Sequence, residues 1–185
     1  MKRRTAAILA LATLLGEVAV PVAWAEVTEV ELAIDGISCP FCVFNIEKPL
    51  KAISALDSFR TNYKKGVVRA KVKPDQPIDL AQFRQAVSET GFTLRAIRLR
   101  AIGTITRWEG HPALESRRTG QRFLLFKEEG EASLTPQHTI GNPALERQLV
   151  AWESAGTLVQ VSGIVHEHKG LPPALAIEAV QEVKP

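Results

Sequence analysis

Between Val27 and Ala101 the apolar residues switch back and forth between a period of two and a helical spacing, and that order restricts the fold most. "VTEVELAI" alternates acidic and apolar residues, as a half-buried strand does. Ile46, Leu50 and Ile53 then fall at helical spacing. "SFRTNY" and "VVRAKV" alternate again around "KKG", a turn in which Gly66 permits positive φ. Asp79 opens a second helix whose Leu80, Phe83 and Val87 share a face; Gln82 completes a capping box and Gly91 is placed to stop the helix. "TLRAIRLRA" reads as a last strand. The order predicts an α+β chain whose residues 26–100 form a β-α-β-β-α-β unit, the split-βαβ or ferredoxin-like plan. Pro49 removes one backbone donor from the first helix and is expected to kink or shorten it.

Residues 101–185 form a second unit. "AIGTITRW" and "RFLLF" read as strands, and "SLTPQHTI" as a short third. "NPALERQLVAWESAG" reads as a helix with Asn142 as N-cap, Pro143 in its first turn, Gly156 as its stop and Leu145, Leu149 and Trp152 as its apolar stripe. "TLVQVSGIVHE" and "ALAIEAVQEV" are two closing strands. Three strands, one helix and two strands resemble the OB-fold, a small Greek-key barrel, here OB-like with one helix. No Pro/Gly/Ser linker divides the units. "TLRAIRLRAIGTITRW" reads as almost continuous strand, so they are expected to join closely, through a shared or bent strand.

The first residues concern location rather than fold. "MKRR", an apolar run broken by Glu17, and "AWA" before Glu26 predict a signal peptide over residues 1–25, cut near Ala25. The run stops short of the roughly 20 residues of a spanning helix. The expected location is periplasmic or otherwise exported, with no membrane span after cleavage. From Ala101 onward eight basic residues face ten acidic ones, a poor balance for a nucleic-acid groove, and Trp108, Phe123, Phe126 and Trp152 read more simply as core than as a stacking platform. No G-x-S-x-G, H-E-x-x-H or phosphate loop is present, so no catalytic constellation is expected.

The chemistry concentrates in "DGISCPFC", Asp35 to Cys42, which holds the only cysteines, Cys39 and Cys42. They follow the first strand and open the first helix. Free N–H groups and partial positive charge at a helix start favour thiolates, whose pKa there falls to roughly 3.5–7.5. Two soft thiolates on a loop suit Cu(I), with Hg(II) as chemical neighbour, whereas a closed structural zinc site takes four ligands. A disulfide closing so small a loop adds little chain entropy, so a pure staple explains the pair poorly. "CPFC" also looks like the redox motif of thioredoxin-like oxidoreductases, and a thiol-disulfide oxidoreductase is the alternative reading. His166 and His168 in "HEH" are secondary metal candidates, since i and i+2 share a strand face. His111 reads as a turn residue, and His138 carries no signal.

"GISCPFC", with Ile46 and Leu50 behind it and "ETGF" at Glu89–Phe92, resembles the heavy-metal-associated domain family. That family includes copper chaperones, modules of copper-transporting ATPases and periplasmic mercuric-ion binding proteins. Its motif is G-M-x-C-x-x-C; Ile37 stands here for the methionine, whose side chain packs inside, and Pro40 stiffens the loop. The resemblance covers residues 27 to 98. It implies that Cys39 and Cys42 bind one soft ion and pass it on by ligand exchange, and that the aromatic of "ETGF" packs near the metal loop. Cu(I) is the first expectation for the ion, with Hg(II) or Zn(II) as alternatives. Implied partners are a metal-transporting membrane protein or a metal-receiving periplasmic protein, and a metal-bridged homodimer is a further arrangement. The second unit is expected to dock the first onto a partner or to shield the ion. Lys48, Lys51, Lys64 and Lys65 are expected to be exposed.

Overall fold

The computed structural model describes residues 26–127 and 140–184. Residues 1–25, where a signal peptide is expected, His138 and most of "SLTPQHTI" lie outside the described residues. The elements are β1 (Glu26–Asp35), α1 (Pro40–Lys51), β2 (Leu56–Asn62), β3 (Val67–Val72), α2 (Leu80–Ser88), β4 (Thr93–Trp108), β5 (His111–Glu115), β6 (Arg122–Phe126), α3 (Pro143–Ala155), β7 (Leu158–His166) and β8 (Ala174–Glu182), with a 3-10 turn at Tyr63–Lys65 between β2 and β3.

The first four strands lie in the order β2-β3-β1-β4, with β1 antiparallel to both β3 and β4. Alternation explains which face is covered. Val30, Leu32 and Ile34 are buried, while Glu29 and Glu31 face the other way and pair with Arg100, Arg69 and Arg98. Ile46 and Leu50 of α1 and Leu80, Phe83 and Val87 of α2 fill the core shared with β1. This is the ferredoxin-like arrangement expected from the order of periods.

Pro49 does not end α1 early; the helix runs on to Lys51, with the proline in its last turn. The turn closes beyond it through Ala52 N donating to Pro49 O at 3.1 Å, and Asn45, four residues before the proline, is exposed to water.

β4 is one strand of 16 residues. Arg98–Ile102 pair with β1 on one edge and with β7 on the other, and from Thr104 onward β5 takes over the edge that β1 leaves. The remaining pairings run β4-β5-β6-β8-β7, and the β4–β7 ladder closes them into a five-stranded ring, with β6 and β8 parallel. β5 was not expected. His111 is its first residue, opposite Trp108, and not part of the turn. The strand is short, carries a proline at its second position and lacks an alternating pattern, so its sequence reads as loop. The short strand expected at "SLTPQHTI" leaves only Ile140 among the described residues, in a parallel bridge with Lys127.

One apolar core runs from α1 and α2 through β4 into the ring, reaching Phe123, Leu149, Val161 and Leu175. Polar contacts add to the junction. Gln121 accepts from Ile78 N at 3.2 Å and donates to Ile78 O at 2.7 Å. Arg118 pairs with Asp75, and Arg84 of α2 with Glu167 beyond β7.

Candidate metal centre

The end of β1 and the start of α1 set the geometry of the cysteine loop. Gly36 has φ +93°, a conformation costly for other residues, and the Phe92 ring covers it: a Cβ added at Gly36 would stand 3.1 Å from Phe92 Cδ1. The aromatic of "ETGF" thus packs on the loop. Ile37, at the methionine position of the motif, is buried.

Cys39 is the N-cap of α1. Its backbone is extended, Pro40 occupies the first turn, and its Sγ accepts a hydrogen bond from Cys42 N at 3.1 Å. Cys42 lies four residues before Ile46 and so points toward the same face, where it packs partly against the core. Both cysteines are half-buried and are joined as a disulfide with Cα atoms 5.2 Å apart. The loop therefore brings the two sulfurs together at a helix start, where backbone donors and the helix dipole favour negative sulfur once the bond is reduced.

The histidines sit elsewhere. β7 ends at His166, so His168 lies in the following turn and the shared strand face does not extend to it. His166 packs edge-on against Phe126, with ring centroids 5.2 Å apart. Among the described residues no group of three or more His, Cys, Asp or Glu side chains converges as a ligand cluster, so these histidines do not join the cysteine pair.

Two features of the loop escape a reading by motif. Cysteine is not a usual N-cap, so the capping role of Cys39 shows only in the backbone geometry. Phe41 and Phe44 are 71% and 65% exposed. Helical spacing carries the signal for that exposure, since both positions lie on the side of α1 opposite Ile46 and Leu50.

Glu47, further along α1, ties the helix to β2 through Thr61. Burial pushes its carboxyl up, but hydrogen bonds from Thr61 at 2.7 Å and Lys51 at 3.0 Å, together with the lysine's charge, outweigh that and leave the pKa below its ordinary 4.5.

Residues 31–93 match the family described as heavy-metal-associated domain. The chain carries a heavy-metal-associated domain. Two solved structures are similar to it. One is the N-terminal domain of ZntA in the apo-form, 17% identical, covering 38% of this chain and 92% of that one, with a TM-score of 0.33. The other is a protein from Bacillus anthracis str. Ames described as copper-ion-binding, 18% identical, covering 38% of this chain and 96% of that one, with a TM-score of 0.32. No curated protein matches the chain. The match thus runs from Glu31, midway along β1, to the first residue of β4, with Cys39 and Cys42 at the head of the first helix it contains.

Proposed function

We propose that this protein is an exported, periplasmic carrier of a soft metal ion, bound by Cys39 and Cys42, with Cu(I) as the first cargo and Hg(II) or Zn(II) as alternatives. The observation that carries the reading is the pair of sulfurs at the N-terminus of α1, inside the heavy-metal-associated domain. An external dithiol exchanges with the Cys39–Cys42 disulfide, itself becoming a disulfide as the pair becomes a dithiol, and metal binding then releases the thiol protons. The α1 N–H groups stabilise the resulting thiolates, and low coordination leaves room for an incoming ligand. Transfer proceeds by exchange: a recipient thiolate joins the ion before one of the two cysteines leaves. A metal-transporting membrane protein or a metal-receiving periplasmic protein fits that step, as does a second copy holding the ion between two pairs. The family match favours this carrier role over catalytic disulfide exchange.

We read the five-stranded ring as OB-like. Its pairing order, its parallel β6–β8 ladder and the position of α3 between β6 and β7 support that reading. Its proposed role is to dock the metal-binding unit onto a partner or to shield the ion, and the β4 strand common to both supports that reading.

Titrating the reduced protein with Cu(I) and with Hg(II) against a competing chelator tests the function. One ion per chain, lost in Cys39→Ser and Cys42→Ser, is the expected result. Equal binding by the variants, or catalytic reduction of disulfide substrates without retention of Cu(I), overturns it.

A further inference from the structure

Two aromatic side chains that a folded chain would ordinarily bury stand in the open beside the cysteine loop. Phe41 is 71% exposed and Phe44 65% exposed, one turn apart on α1. A third aromatic lies at the same end. Glu47 of α1 accepts from Thr61 of β2 at 2.7 Å, which fixes the two elements side by side. Tracing α1 back from Glu47 to Phe44 and Phe41 moves in the direction that β2 takes from Thr61 to Tyr63, because helix and strand run oppositely. Tyr63 is 38% exposed there. The 3-10 turn that carries it is anchored to the end of β1 by Ile34 N donating to Gly66 O at 2.7 Å. At Gly66 any side chain would collide with Ile34 O, since a Cβ would stand 2.6 Å away.

The charges around these rings are mainly positive. Lys48, Lys64 and Lys65 are exposed and make no ion pair among the described residues. Of the acids nearby, Asp35 pairs with Arg95 and Glu47 with Lys51, while Glu89 accepts from the neutral Gln85 amide and keeps its charge. The tip therefore joins three exposed aromatic side chains to three exposed ammonium groups without an ion pair among the described residues.

We propose that this tip is a peripheral docking surface for an anionic lipid bilayer, with Phe41, Phe44 and Tyr63 entering the headgroup region and Lys48, Lys64 and Lys65 meeting lipid phosphates. Two observations favour lipid over a protein groove. Protein interfaces are enriched in aromatics and arginine but depleted in lysine, whereas lysines beside exposed aromatics match an interfacial anchor, where long stems lie along apolar surface and ammonium groups reach the phosphates. The rings also project from two separate elements and require no complementary pocket. The proposal does not rest on the cargo reading: it needs neither reduced cysteines nor a bound ion.

The test is sedimentation with vesicles of phosphatidylcholine, with and without phosphatidylglycerol. It uses the chain from Glu26 onward, which holds every described strand and helix, so that the apolar run before it does not itself bind lipid. Wild type is expected to partition onto the phosphatidylglycerol vesicles and not onto the neutral ones, with binding weakened by salt. Each lysine near an anionic surface contributes about a fivefold change in partitioning, so Lys64→Glu with Lys65→Glu reduces binding by at least about 25-fold. Phe41→Ser with Phe44→Ser abolishes it, while leaving the circular dichroism spectrum intact. A further check is Phe44→Trp, whose emission shifts to the blue only with anionic vesicles. Failure of the wild type to bind either vesicle, or equal binding by the double serine variant, overturns the proposal. So does dependence on Phe41 and Phe44 in capture of a protein but not of vesicles.

Discussion

Helices α1 and α3 both place a proline in their first turn, but the residue before it differs. Asn142 caps α3 through Oδ1, which accepts from Ala144 N and Leu145 N, both at 3.0 Å. Cys39 caps α1 through sulfur, which accepts only from Cys42 N, at 3.1 Å. Sulfur is the weaker acceptor, so α1 starts with less local stabilisation than α3. The atom that caps α1 is also the one proposed to bind the metal. A reactive helix start and a stable one have been built on the same proline-first plan, and the difference lies in a single side chain.

Exchanging that side chain is the sharpest way to separate the two roles. Cys39→Ser replaces the sulfur by an oxygen that caps as well or better, so far-UV circular dichroism is expected to show α1 retained. Metal affinity, by contrast, falls by more than about a hundredfold, beyond what loss of an outer-shell partner costs a metal site. Cys42→Ser is expected to lose affinity equally, and the oxidised wild-type chain to bind no ion until reduced. A folded Cys39→Ser protein with undiminished Cu(I) affinity would break the comparison.

The converse change acts on stability alone. Asn142→Ala removes the acceptor for two backbone donors and is expected to cost about 1 kcal/mol in denaturant unfolding, with Cu(I) affinity unchanged. A change in affinity from this distant cap would show that the two helix starts are not independent.

Glu47→Gln gives the smallest effect, under about 1 kcal/mol, since its partner Lys51 is well exposed. The carboxyl's pKa is lower in the folded than in the unfolded chain, so its contribution is fully present above about 4.5 and fades as pH falls through the folded value. Wild type and variant should therefore differ in stability at neutral pH and converge in acid. A gap that widens on acidification would reverse the assigned sign.

Much of this was legible in the chain itself, for identifiable reasons. Alternation in β1 and β3 and helical spacing in α2 reflect a sheet with one covered face, so pattern and fold agree there. The cysteine motif located the site because a strand precedes it and a helix follows. β5 was not legible: its "HPALE" is held by ladders to β4 on one side and β6 on the other, long-range pairings that leave no local trace. Nor was the reach of α1 beyond Pro49, since a proline in a last turn costs less than one at mid-helix. Cys39 as a cap was hidden because residue preferences argue against it.

The doubly paired stretch of β4 has a thermodynamic consequence. Arg98–Ile102 can lose neither β1 nor β7 without exposing backbone that the other unit depends on. The heavy-metal-associated domain and the ring are therefore expected to open together, as one cooperative block, with the amides of this stretch exchanging with solvent through global unfolding. An ion bound by the native cysteine loop lowers the population of that open state for the whole block. Slowed hydrogen exchange in β7, a strand of the ring, would thus report an ion held at the head of α1.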